Sequence, residues 1–175
     1  MTPYPIALYQ GRILSLYLEL ARLPDGREIP LEVVRHPGGA AVVALDGAGR
    51  VCLLRQYRHV AQDWLWELPA GRLDPGEAPA TTAARELLEE AGMVARCWDS
   101  LGWLHSSPGV FAEVIHLFLA QDLEQRAQAL GADELLEVHW LPLSQALEWA
   151  DQGRISDAKT LVGLYRGRAL LEAAI

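Results

Sequence analysis

Lysine is all but missing from this chain: Lys159 is the only one, and the other fourteen of its fifteen basic residues are arginine. Arginine forks suit phosphate recognition, although codon composition alone produces so uniform a bias. Cysteine is scarce as well. Cys52 and Cys97 lie far apart without a CxxC spacing, which argues against a disulfide framework or a cysteine zinc site. Both fall in apolar, strand-like runs and read as small core residues. No apolar run reaches the length of a membrane span. Residues 1–10 are neither basic nor apolar enough for a secretory signal, so a reducing cytoplasmic setting is expected. Net positive charge is lacking too. A formal charge of −8 speaks against non-specific binding to nucleic acid or to an anionic membrane surface. Repeats and low-complexity tracts are absent.

What remains is ordinary globular material. In 175 residues, 51% are hydrophobic and 22% charged, enough for one core-bearing domain with a small appended part. Ile13–Leu23 alternates, Pro24-Asp25-Gly26 turns, and Glu28–Arg35 reads as the returning strand of an N-terminal hairpin. His36-Pro37-Gly38-Gly39 breaks that pattern, placing a boundary between residues 1–36 and 37–175. Ala40–Leu45 and Val51–Gln56 read as a second hairpin. Trp64–Leu68 is short and apolar. A Gly/Pro-rich loop then precedes a helix from about Ala80 to Ala91, with Pro79 suited to its first turn and Gly92 just past its end. Strands are expected at Trp98–Trp103, Val114–Ala120 and Glu137–Leu141, and helices at about Leu143–Gln152 and Asp157–Ala173. Strands and helices mixed without βαβ alternation indicate α+β, or a sheet between helix layers.

The helix of residues 80–91 is poorly suited to standing alone. Glu86, Glu89 and Glu90 are neighbours on its surface at spacings of three and four. Ala80, Ala84, Leu87, Leu88 and Ala91 are left to face a core. Like charges at such spacing destabilise a helix by roughly 0.2–0.5 kcal/mol. Acids in the last turn also oppose the helix dipole, at roughly 0.3–1 kcal/mol each when exposed. A bound hard cation would reverse the sign of both effects. The plain alternative is a solvated acidic face.

The surroundings favour the cation. Gly71, Glu77 after five residues, and, after seven more, Arg85-Glu86-Leu87-x-Glu89-Glu90-x-Gly92-Met93 match every defined position of the Nudix box, so the chain resembles that hydrolase family. The resemblance implies an α/β/α sandwich with a mixed sheet, here preceded by a small N-terminal β-hairpin subdomain. It implies that Glu86, Glu89 and Glu90, with the carbonyl of Ala70, bind divalent metal, Mg²⁺ or Mn²⁺. Glu77 and Arg85 would clamp loop to helix, and Glu77 could also steer a metal water. The implied reaction is cleavage of a pyrophosphate linkage.

Weaker stretches resemble the ADP-ribose pyrophosphatase branch: Leu54-Arg55-Gln56-Tyr57-Arg58, Trp66-Glu67-Leu68-Pro69-Ala70-Gly71, Ser106-Ser107-Pro108-Gly109-Val110-Phe111-Ala112-Glu113 and Gly153-Arg154-Ile155-Ser156-Asp157-Ala158-Lys159-Thr160. That resemblance implies a small nucleotide-sugar substrate, with Arg58 on a phosphate or ribose and Glu113 near the metals or ribose. It implies Glu134 as general base, with Glu90 as fallback. It also implies a homodimer formed through the N-terminal strands, with Glu32 and Arg35 as cross-subunit contacts. Tyr17, Trp64 and Phe111 could stack on a base but are more often packing residues. A different nucleoside diphosphate derivative is the alternative substrate. A silent nucleotide-binding module fits less well, because every box acid is present.

Overall fold

A computed structural model of the protein describes residues 4–131 and 135–173. In order, its elements are β1 (Ile6–Gln10), β2 (Ser15–Arg22), β3 (Glu28–Arg35), β4 (Gly39–Ala44), β5 (Arg50–Arg58), β6 (Asp63–Glu67), β7 (Ala70–Arg72), α1 (Pro79–Ala91), β8 (Met93–His105), β9 (Phe111–Ala112), β10 (Val114–Gln125), β11 (Leu136–Pro142), α2 (Leu143–Asp151) and α3 (Ala158–Ala173).

Strands β4 and β5 make the centre. Ala40, Val42, Ala44, Cys52 and Leu54 cluster with Ala83 and Leu87 of α1. The alternate residues Ala41, Val43, Leu45, Val51 and Leu53 cluster with Ala146 and Leu147 of α2 and Leu164 of α3. Burial on both faces explains why these strands read as continuous apolar runs. β4 belongs to a mixed sheet of order β7-β4-β10-β8, in which only β4 and β10 are parallel. β5 belongs to the antiparallel sheet β11-β5-β6, and a bridge from Leu45 to Val51 joins the two sheets. The result is the expected α+β sandwich, with α1 on one face and α2 and α3 on the other.

The N-terminal part exceeds the expected hairpin. β1 pairs with β2, and β9 pairs in parallel with β3 through Val34–Phe111 and Arg35–Ala112. The Val34 N–H donates to the Val110 carbonyl at 2.8 Å. β1 is short and does not alternate, and the two residues of β9 are a strand only because β3 lies beside them. β8 also outruns its expected bounds, since its pairing with β10 extends from His105 to Met93. No helix among the described residues is long and apolar enough to cross a membrane.

Leu53 is fully buried on the central strand β5. Leu53→Ala is expected to lower the unfolding free energy by about 2–5 kcal/mol. Urea denaturation would show this as a reduced midpoint with an unchanged slope.

Candidate active site

α1 starts and stops where its sequence dictates. Pro79 takes the first turn, where its missing N–H removes no helical bond. Gly92 ends the helix in the left-handed conformation at φ 64°, its N–H donating to the Leu88 carbonyl at 3.0 Å. The following chain folds back over this end. Arg126 N–H donates to the Gly92 carbonyl at 2.7 Å and Ala129 N–H to the Glu89 carbonyl at 3.0 Å. The Gln128 side-chain amide donates to the Glu90 carbonyl. Carbonyls that a helix end leaves without partners are thereby satisfied.

The face α1 buries is only partly the one its pattern suggested: Leu87 is in the core and Ala91 packs against it as expected. Thr82, Ala83, Glu86, Leu87 and Glu90 are buried, while Ala80 and Ala84 are exposed. Glu86 is 6% exposed and Glu90 only 2%, which rules out a simply solvated acidic face. An ionised carboxylate cannot stay so enclosed without charge-assisted partners.

Arg85 supplies one of them to Glu86 and links that acid to Glu77 and Glu89. Its Nε and Nη2 donate to Glu77 Oε1 and Oε2 at 3.1 and 3.0 Å. Its Nη1 donates to Glu86 Oε1 at 2.6 Å and to Glu89 Oε2 at 3.1 Å. Nη2 also reaches the Arg72 carbonyl at 3.1 Å. One planar fork therefore neutralises acids of both loop and helix. The Arg85 bond, then those from the Thr82 hydroxyl and the Asp74 N–H, hold the Glu77 carboxyl down at about 2. The bonds to Glu77, Glu86 and Glu89 in turn raise the Arg85 pKa.

Strand β7 meets the helix from the other side. The Ala70 N–H donates to Glu90 Oε2 at 2.7 Å. A Cβ on Gly71 would stand 1.8 Å from Glu86 Oε1, so the acid occupies the space a side chain at residue 71 would need.

Beside β7 opens a cleft of about 370 Å³, whose walls include His36, Arg58, Ala70, Arg72, Glu113 and Lys159. Arg58 grips Glu67 in a bidentate pair with both bonds at 2.7 Å. Lys159 Nζ lies 2.5 Å from the same carboxylate and 3.0 Å from Asp157 Oδ1. Burial alone would push the Glu67 carboxyl up, but the Arg58 bonds and the Lys159 charge outweigh it and hold it below the usual range. Thr160 completes the network. Its hydroxyl donates to Asp157 Oδ2 at 2.6 Å and accepts the Leu68 N–H at 2.8 Å. On the opposite side, His36 Nδ1 lies 3.1 Å from Glu113 Oε1.

The residues singled out in the sequence thus fall into three groups. Glu77, Glu86, Glu89, Glu90 and Ala70 are brought together around Arg85 and β7. Arg58, Glu113 and Ala70 line the cleft. Glu32 and Arg35 do not line it. Glu32 is exposed on β3, opposite Leu18, and Arg35 is paired with Glu19 at 2.8 Å. Glu134 lies outside the described residues. Sequence reasoning missed His36, Arg72, Asp157 and Lys159 as cleft residues. The last two stood in the closing stretch already quoted, with no role attached.

The donors suit a hard divalent ion, since carboxylate and carbonyl oxygens are what magnesium prefers. Two of them are buried acids one turn apart. As arranged here, Arg85 takes up Glu86 and Glu89, and no three acidic, His or Cys groups among the described residues converge on one cation position. The donor chemistry therefore fits, and the guanidinium already supplies one positive charge.

Glu77 titrates far below its ordinary 4.5 in the fold. Its stabilising contribution is expected in full above about pH 4.5 and to disappear as pH falls through about 2. Urea denaturation of wild type and Glu77→Gln should therefore show a stability gap at neutral pH that closes in acid. A gap independent of pH would disprove the brace.

The NUDIX domain matches residues 35–162. The chain is 36% identical over 155 residues to the ADP-ribose pyrophosphatase of Bacillus subtilis (strain 168), covering 87% of this chain and 84% of that one. It is 36% identical over 159 residues to the methanol dehydrogenase activator of Bacillus methanolicus, covering 90% and 86%. It is 38% identical over 166 residues to the ADP-ribose pyrophosphatase of Mycobacterium tuberculosis (strain ATCC 25618 / H37Rv), covering 93% and 80%. A crystal structure of an ADP compounds hydrolase matches with a TM-score of 0.80, covering 99% of this chain and 97% of that one at 22% identity, a likeness of fold. With the domain match spanning most of its length and relatives more than a third identical along nearly all of it, the chain belongs to the Nudix family.

Proposed function

We propose that this protein is a divalent-metal-dependent pyrophosphatase that hydrolyses ADP-ribose to AMP and ribose 5-phosphate. The observation that carries the reading is the pair of buried acids, Glu86 and Glu90, set with Glu89 and Arg85 beside a cleft walled by Arg58, Arg72 and Lys159. Two relatives named ADP-ribose pyrophosphatase support the substrate. A relative named GDP-mannose pyrophosphatase, 38% identical over 148 residues, keeps another nucleoside diphosphate derivative as the second reading.

Glu86, Glu89, Glu90 and the Ala70 carbonyl would hold magnesium, with manganese as a substitute. Bound there, the ion would neutralise the diphosphate, polarise a phosphoryl oxygen and acidify water. The chain's own residues supply position and proton transfer. Arg58, fixed by Glu67, presents its charge to a phosphate from one wall, and Glu113 addresses a ribose hydroxyl from another. Glu134 is the proposed base, with Glu90 in reserve. Glu77 serves as brace, because a carboxylate whose conjugate acid titrates at about 2 is a weak proton acceptor.

Residues 1–36 are read as the dimerisation region. Leu8, Tyr9, Leu20 and Leu31 of their sheet are exposed, and so small a sheet buries little by itself. A second copy would cover that surface and bring Glu32 and Arg35 towards the neighbouring cleft. The two unpaired cysteines accord with a reducing cytoplasm.

AMP release from ADP-ribose is expected with magnesium and should cease with chelator. A panel including NADH, ADP-glucose, diadenosine polyphosphates and oxidised dGTP should rank ADP-ribose first; a low rank would replace the substrate. Glu90→Gln should keep its melting temperature and lose about 10²-fold or more in turnover. Near-wild-type turnover would refute the assigned acids. Light scattering should give twice the chain mass, and Leu31→Glu should reduce it to one.

A further inference from the structure

His36 lines the cleft and has no role in the proposed reaction. It follows β3, its ring lies against Phe111 with centroids 5.4 Å apart, and its side chain is only 15% exposed. Two groups meet its Nδ1. The Gly38 N–H approaches at 3.1 Å as a donor, and Glu113 Oε1 lies at the same distance. An imidazole nitrogen has one in-plane position, filled by a proton or by a lone pair. A bare Nδ1 accepts from Gly38 but then faces an ionised Glu113 with lone pair against lone pair. A protonated Nδ1 donates to Glu113 and leaves Gly38 N–H without that acceptor. Both contacts cannot be satisfied together.

We propose that His36 is a positioning residue for Glu113, holding the carboxylate against the cleft wall when Nδ1 carries a proton and releasing it to the substrate when Nδ1 is bare. This rests on the reading of the cleft as the substrate site. The charged groups facing His36 are Glu113, between β9 and β10, and Arg72 on β7. Arg58, Asp157 and Lys159 line the same cleft. Burial, the larger influence, pulls the His36 pKa below 6.5, and Arg72 adds to this, while Glu113 opposes it. The bare, releasing form therefore prevails at neutral pH, and the holding form appears as pH falls.

Two measurements test the pair. The first needs no substrate: ¹⁵N NMR titration of the His36 ring, assigned by its loss in His36→Phe. Glu113→Gln removes the charge that favours the imidazolium, so the His36 pKa should drop further. An unmoved titration would overturn the proposal. The second uses the best substrate of the panel above, so a wrong guess at ADP-ribose does not obstruct it. Wild-type KM should rise by about tenfold, the worth of one charge-assisted hydrogen bond, as pH falls through the His36 titration, with kcat changing less. His36→Phe keeps a ring against Phe111 but cannot hold Glu113; its KM should stay at the wild-type neutral value throughout. His36→Asn, whose amide can donate at every pH, should show a raised and pH-independent KM. Retention of the wild-type KM profile by both variants would also overturn the proposal.

Discussion

One guanidinium makes the rest of the site possible. Glu77, Glu86 and Glu89 would repel one another if left together, and Glu89 in the last turn would oppose the helix dipole, yet Arg85 reaches all three. Its planar fork spreads charge in fixed directions, which a lysine ammonium would not do. The same fork ties the end of β7 and the loop that follows it to α1, through the Arg72 carbonyl and Glu77. The acids are thereby held at the helix end before any metal arrives. A cation entering this cluster would have to compete with Arg85 for oxygens as well as neutralise carboxylates.

The cleft depends on a second buried anion. Glu67 draws Arg58 from the end of β5 and Lys159 from the start of α3 to one point. Thr160 and Asp157 then pin α3 to the backbone of Leu68. Segments nearly a hundred residues apart are set against β7, the strand that also meets Glu90. The two networks therefore share a wall, and the sandwich beneath them, covered on both faces of β4 and β5, gives that wall a rigid base.

The local parts of this arrangement were legible in the sequence. Pro79 and Gly92 bracket α1, Pro24-Asp25-Gly26 marks the turn between β2 and β3, and the box spacing picks out Glu77, Arg85 and the three helix acids; the second expected hairpin does not form, because β4 and β5 pair in different sheets and share only the Leu45–Val51 bridge. What could not be read were features created by distant chain. Pattern assigned Ala80 and Ala84 to the core, but α1 turns Glu86 and Glu90 inward because β7 offers the Ala70 N–H and the space at Gly71. β9 is a strand only through its contact with β3. Arg58 was picked out as a substrate contact, yet its fork is already engaged by Glu67, a residue quoted in the sequence without a role. His36 looked like part of a linker and acquires a partner only when Glu113 is folded against it.

The chain's single lysine is the one enclosed between Glu67 and Asp157, with its side chain only 13% exposed. Reagents that seek ε-amines, for labelling, cross-linking or attachment to a surface, therefore find no open target on this protein. Any that did react at that position would report an opening of the wall between α3 and β6 rather than the accessibility of the outer surface.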